Sequence, residues 1–75
     1  MTTCTRLAVF AKDVRNGDVL IERKRAVIDH LEHDRDINDV PVVLLVPRGG
    51  SDHTGYWYDT HTIVTVHRFH PHRFD

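Results

Sequence analysis

Seven histidines in a chain of 75 residues invite a search for metal or acid–base chemistry. Neutral imidazole is a common ligand for zinc, nickel or copper. His70 and His72 would point their rings the same way on an extended segment, and His67 or His53 could join them. A metal site needs roughly three or four ligands in fixed geometry. These histidines have no cysteine pattern and no spaced carboxylate with them. They read as structural or incidental, so neither a metal nor a cofactor is expected. Asp29 with His30, and Glu32 with His33, are acid–base neighbours along the chain. On a strand each pair would point to opposite faces and could not share a proton. Cys4 is the only cysteine and has no sequence neighbour that would activate its thiol. Arg48-Gly49-Gly50 lacks the Gly-Lys-Ser/Thr ending and the following helix of a phosphate loop, so it reads as a hairpin loop. A chain this small also has little room for a deep, water-excluding pocket. The expectation is a protein that is not an enzyme.

Binding chemistry has better candidates. Arg23, Lys24 and Arg25 form a basic cluster, and Tyr56, Trp57 and Tyr58 an aromatic one. Arginines and aromatics on a small β-domain can neutralise and stack single-stranded nucleic acid. Arg23, Lys24, Arg25 and Trp57 would carry that function. The same residue types are favoured at protein interfaces. There the exposed side of the aromatic and C-terminal strands, with Tyr56, Tyr58, His67 and Phe69, would be the surface. The balance of 10 basic and 11 acidic residues, net −1, is not the footprint of a dedicated nucleic-acid binder. The acidic run Asp34 to Asp39 also works against a uniformly positive face.

These residues must be positioned by one domain, since 75 residues allow no more. So small a domain is marginal unless something helps, and a single cysteine forms no disulfide within the chain. A partner or self-association is a reasonable source of that help. The lone cysteine fits a reducing compartment. No apolar run approaches the roughly 18 residues of a membrane span, and the N-terminus lacks the pattern of a signal peptide. The reading is a soluble, cytoplasmic protein with no membrane partner.

Strand signals recur along the chain. Leu7 to Ala11 is a short apolar run between Arg6 and Lys12. The turn Arg15-Asn16-Gly17-Asp18 then feeds Val19 to Ile21. Glu22 to Arg25 reads as a charged connection or an exposed strand end. Ala26 to His33 fits neither period cleanly; short joining turns and strand-like neighbours favour a strand over a helix. Asp34 to Asp39 reads as a solvated loop. Val40 to Val46 is a continuous β-branched and aliphatic run, as in a strand covered on both faces. Pro47 to Gly55 reads as a flexible loop. Tyr56 to Tyr58 starts another strand, with the tyrosines on one face and Trp57 on the other, and Asp59 to His61 reads as a turn. Thr62 to Phe69 is the last strand, with Val64 and Val66 on one face. Residues 1–6 and 70–75 are expected to be flexible.

Five or six short antiparallel strands predict an all-β domain, a small barrel or sandwich. Asp13, Gly17 and Asp18 at the entry, then Tyr58, Asp59 and Val64-Thr65-Val66 near the end, resemble short SH3-like β-barrel proteins of actinobacteria and their phages. The resemblance spans about residues 7 to 69. It implies a single small barrel and supplies no catalytic residues, because such relatives mostly lack an assigned activity. The functional expectation is a small, phage-type or bacterial accessory protein that binds a protein partner or a copy of itself. Nucleic-acid binding is the alternative.

Overall fold

The structure of the protein is a computed structural model that describes residues 2–50 and 52–71, with side chains at 4–50 and 53–69. The fold is all-β. The strands are β1 (Thr2–Phe10), β2 (Val19–Leu20), β3 (Ala26–Arg35), β4 (Pro41–Pro47), β5 (Tyr56–Asp59) and β6 (Ile63–Pro71). They form one six-stranded antiparallel sheet in the order β1-β6-β2-β3-β4-β5. Short 3-10 turns occupy Ala11–Asp13, Ile21–Arg23 and Asp52–Thr54. No helix among the described residues is long and apolar enough to cross a membrane. The backbone ladder is open, with β1 and β5 at its edges.

The ends of several elements differ from expectation. β1 begins at Thr2, not Leu7, and pairs with β6 from Thr2↔Pro71 to Phe10↔Ile63. Residues 2–6 are therefore strand, where a loose terminus was expected. Threonines suit a pleated ladder, and a long partner strand gives their backbone groups a place to pair. Ala11 leaves the strand for a 3-10 turn and is wholly buried, its N–H donating to the Thr62 carbonyl at 2.8 Å. β2 stops at Leu20, because Ile21 opens the second 3-10 turn. Residues 26–33 are strand, as the short joining turns require, but the ladder with β4 is irregular between Ile28 and His30. The residues before β3, Lys24 and Arg25, both take positive φ (55° and 58°), a conformation more often left to Asn and Gly.

The core follows the period-2 alternation of the strands. Leu20, Ile28, Val43, Leu45, Val64 and Val66 pack with Ala11 and Val14, and Leu7, Val9, Leu31, Tyr56 and Tyr58 close around them. In β4, Leu44 and Val46 on the alternate side are buried too. In register, Leu44 lies between Glu32 of β3 and Trp57 of β5. β4 is thus buried on both faces, which explains its unbroken apolar run.

Two turns lie at opposite ends of the β3–β4 hairpin. At the Ile28 end, Arg15–Asp18 closes with the Asp18 N–H donating to the Arg15 carbonyl at 3.0 Å. Gly17 takes φ +92°, as the third residue of a type II turn does. The turn is fastened to β3 in both directions: the Gly17 N–H donates to Ile28 O, and the Ile28 N–H to Asp18 O. At the Arg35 end, Asp36 organises the loop to β4. Its carboxylate accepts the N–H groups of Asn38 (2.8 Å) and Val40 (2.9 Å), and its own N–H donates to Val40 O. This is an Asx-stabilised tip, with Ile37 fully exposed at its end.

Candidate functional site

The most developed polar constellation lies where the Arg15–Asp18 turn meets β6. Val64 and Val66 point into the core, so Arg68, in phase with them, points inward too. It meets Asp18 there. Arg68 donates from Nε to Asp18 Oδ1 at 3.0 Å and from Nη2 to Oδ2 at 2.8 Å, a bidentate ion pair. Nη2 also donates to the Asp13 carbonyl at 3.2 Å, and the Arg15 N–H donates to Asp18 Oδ2 at 2.9 Å. Asp18 is 1% exposed and the Arg68 side chain 14%. The hydrogen bond to Asp18 raises the Arg68 pKa above its ordinary value, against the opposing effect of burial. The pair is a fixed, neutralised floor.

Above that floor is a recess of about 380 Å³. Arg15, Asn16, Arg48 and Phe69 line its walls, with Gly17 at the turn. Arg48 is held by a bond from its Nη2 to Asn16 Oδ1 at 3.1 Å. With Asp18 answered by Arg68, the exposed guanidinium groups of Arg15 and Arg48 leave the mouth positive. Phe69, half exposed (50%), borders the recess from the outward side of β6. The arrangement can hold a carboxylate or another anion beside an apolar group.

The residues expected to form one protein-binding surface divide between two places. Tyr56 and Tyr58 pack against the core instead of standing free. Their rings lie under the Arg23 guanidinium, at 5.1 and 5.4 Å from the ring centres. Arg23 Nε donates to the Tyr58 hydroxyl at 2.8 Å, and that bond raises the Arg23 pKa. Glu22 accepts from the Tyr58 hydroxyl at 3.5 Å and from the Thr65 N–H at 3.3 Å. Glu22 and Arg23 thereby bridge β5 and β6, which share no ladder. His67 and Phe69 lie elsewhere, on the outward side of β6, paired in register with Arg6 and Cys4. The tyrosines turned inward because β5 supplies the last apolar cover of the core.

The alternative set is also divided. Arg23 is committed to the tyrosines, and Lys24 and Arg25 are exposed at the left-handed turn. Trp57 is 53% exposed but on the opposite face of β5 from the tyrosines, among Asp34, Arg35, Asp36 and Val42. Asp34 and Asp36 beside it work against a phosphate, and Arg35 between them works for one.

One acid–base expectation is corrected. His30 Nδ1 and Asp29 Oδ2 are 2.8 Å apart, because the irregularity after Ile28 breaks the strict alternation that would have separated them. Both side chains are about half exposed. Cys4 is exposed and paired in register with Phe69, within a strand rather than on a loose terminus. Among the described residues no three His, Cys, Asp or Glu side chains are grouped to hold a metal. The His70 and His72 side chains lie outside the described residues, as does the 72–75 tail. Arg48-Gly49-Gly50 forms a turn, closed by the Gly50 N–H on Pro47 O at 3.0 Å, and it delivers Arg48 to the recess. The sequence reading missed the recess, since Arg68 and Asp18 are 50 residues apart and no local spacing announces them. Compared with known proteins, the chain matches no family model, no curated protein and no solved structure.

Proposed function

We propose that the protein is a small non-enzymatic binding module, an accessory protein of phage or bacterial type that docks a protein partner on the outward face of the β1–β6 ladder. One observation carries this reading. β1 is a nine-residue edge strand, and the face it shares with β6 exposes Phe10, Ile63 and Phe69. An edge strand offers unpaired backbone groups to another chain. Exposed aromatics beside it supply apolar area for the partner to cover. His67 and Phe69 belong to this surface; Tyr56 and Tyr58 support the fold beneath Arg23. In this reading the sheet is an SH3-like barrel, closed between β5 and β6 by the Glu22 and Arg23 side chains instead of by a ladder.

The nucleic-acid alternative has less support, since its arginine and its tryptophan face different ways and Trp57 is edged by acids. A pull-down from an extract of the native host, at low and high salt, separates the two. Wild type is expected to retain a protein at high salt, and Ile63→Lys to lose it. Nucleic acid bound at low salt and released steeply as salt rises would favour the alternative. Equal capture by both baits would remove the outward face as the docking surface.

A further inference from the structure

We infer that the arginine recess of one copy receives the acidic β3–β4 tip of a second copy, so that the protein associates head to tail. The inference rests on the reading of the chain as a protein-binding module and names a partner for it. Three observations carry it: charge, shape of the apolar groups, and position.

The charges are segregated although the net charge is only −1. Arg15 and Arg48 stand at the mouth of the recess, over a floor neutralised by Asp18 and Arg68. The tip carries Asp34, Asp36 and Asp39, with Arg35 as its one base. Electrostatic complementarity of this kind orients two surfaces and suppresses wrong pairings. The apolar groups match as well. Ile37 is fully exposed between Asp36 and Asp39, and Phe69 is half exposed at the border of the recess. An isoleucine side chain seated on Phe69 would remove both from water, with the flanking carboxylates reaching the guanidinium groups. A recess of about 380 Å³ accommodates a single side chain and its neighbours.

The tip is also prepared for docking. The Asp36 carboxylate and the Asp39 N–H to Asp36 O bond (2.9 Å) hold it in one shape, so little conformational freedom is lost on association. Arg35 Nη1 donates to the Asp39 carbonyl at 3.0 Å and lies 3.5 Å from the Asp39 carboxylate, so this pair is neutral and the tip's net negative charge comes from Asp34 and Asp36. Recess and tip lie at opposite ends of the β3–β4 hairpin. Ile28 is bonded to the recess turn and Arg35 is at the tip, separated by roughly 20 Å of strand at about 3.3 Å per residue. One copy cannot satisfy its own recess. In the head-to-tail arrangement the contact is heterologous, and it continues into a ring or a filament.

The test is sedimentation analysis of wild type, a recess variant (R15E/R48E) and a tip variant (I37S/D39N). These positions are exposed, and Asn keeps the left-handed conformation that Asp39 adopts (φ +62°). Unchanged melting of each variant establishes that it folds. Wild type is expected to gain mass with concentration, less so at high salt. Each variant alone should dissociate at least about tenfold more readily. An equal mixture of the two should form a one-to-one dimer that grows no further, because only one recess and one tip remain competent. Variants that associate like wild type, or a mixture that stays monomeric, overturn the inference. If wild type associates and only Ile63→Lys dissolves it, the outward face is the interface between copies; the binding-module reading survives and the head-to-tail contact falls. A strict monomer at high concentration removes every form of self-association and leaves the protein-partner reading to the pull-down.

Discussion

Two arginines in this small sheet do opposite things. Arg68 is drawn into the molecule by the inward phase of β6 and pairs with a carboxylate that solvent does not reach. Arg23 lies outside, flat over two tyrosine rings, with its Nε on a phenol oxygen. Both have raised pKa values, and in each case the largest cause is one hydrogen-bonded neighbour, Asp18 for Arg68 and Tyr58 for Arg23. The cost of losing that neighbour is what separates them. Around Arg68, deleting Asp18 leaves a mostly buried charge facing a carbonyl, that of Asp13, where a carboxylate had been. Around Arg23, water replaces whatever is removed.

The sharpest way to break the comparison is Asp18→Ala. It strands Arg68 in a site only 14% exposed and takes an acceptor from the Arg15 N–H. Removing one member of a buried ion pair costs about 3 to 5 kcal/mol. Urea denaturation followed by circular dichroism should find most of a small domain's stability gone. The double variant D18A/R68M should recover part of that loss, since it leaves no unpaired charge behind. Equal stability of the single and double variants would show that the pair is not coupled as its geometry implies. Next in size is Gly17→Val, which acts on the turn that presents Asp18. Valine is strained at φ +92°. The expected loss is roughly 1 to 2 kcal/mol, without the recovery that R68M brings to D18A. An unchanged midpoint would mean that the turn relaxes without cost.

The same contrast marks what the sequence discloses. The all-β class was legible because strand signals are local: apolar phase in β6, an unbroken run in β4, and turn residues at 15–18 and 59–61. The turn before Val19 was legible for the same reason, since Gly17 is the residue whose φ the turn needs. What Asp18 does was not legible, because its partner comes from the far end of the chain and Arg68 reads locally as one more exposed base beside His67. The tyrosines were expected to present an open surface, as alternation allows; their inward direction depends on β5 being the last strand over the core. Asp29 and His30 meet only because the pleat is interrupted, and no residue type in that segment signals the interruption. Lys24 and Arg25 hold a left-handed turn that Asn or Gly would have advertised. Contacts between distant segments and local departures from the regular period were hidden; period and punctuation were not.

The smallest expected effect sharpens the comparison from the other side. Arg23→Ala and Tyr58→Phe each remove the Arg23–Tyr58 hydrogen bond at the surface, where exchange with water offsets most of what is lost. Neither should shift the global unfolding midpoint measurably. A local consequence is still expected, because Glu22 and Arg23 are the side chains that tie β5 to β6 where no backbone ladder does. β5 is a four-residue edge strand paired only to β4, and the tyrosine cluster is its other restraint. Amide hydrogen exchange at residues 56–58 should quicken in both variants while β4 and β6 stay protected, the signature of local opening without global destabilisation. Faster exchange across all the strands, with a lowered midpoint, would place Arg23 beside Arg68 as a global support and erase the distinction between them. Exchange unchanged at 56–58 would show that core packing of Tyr56 and Tyr58 alone holds the edge, with the guanidinium resting on the rings and restraining nothing.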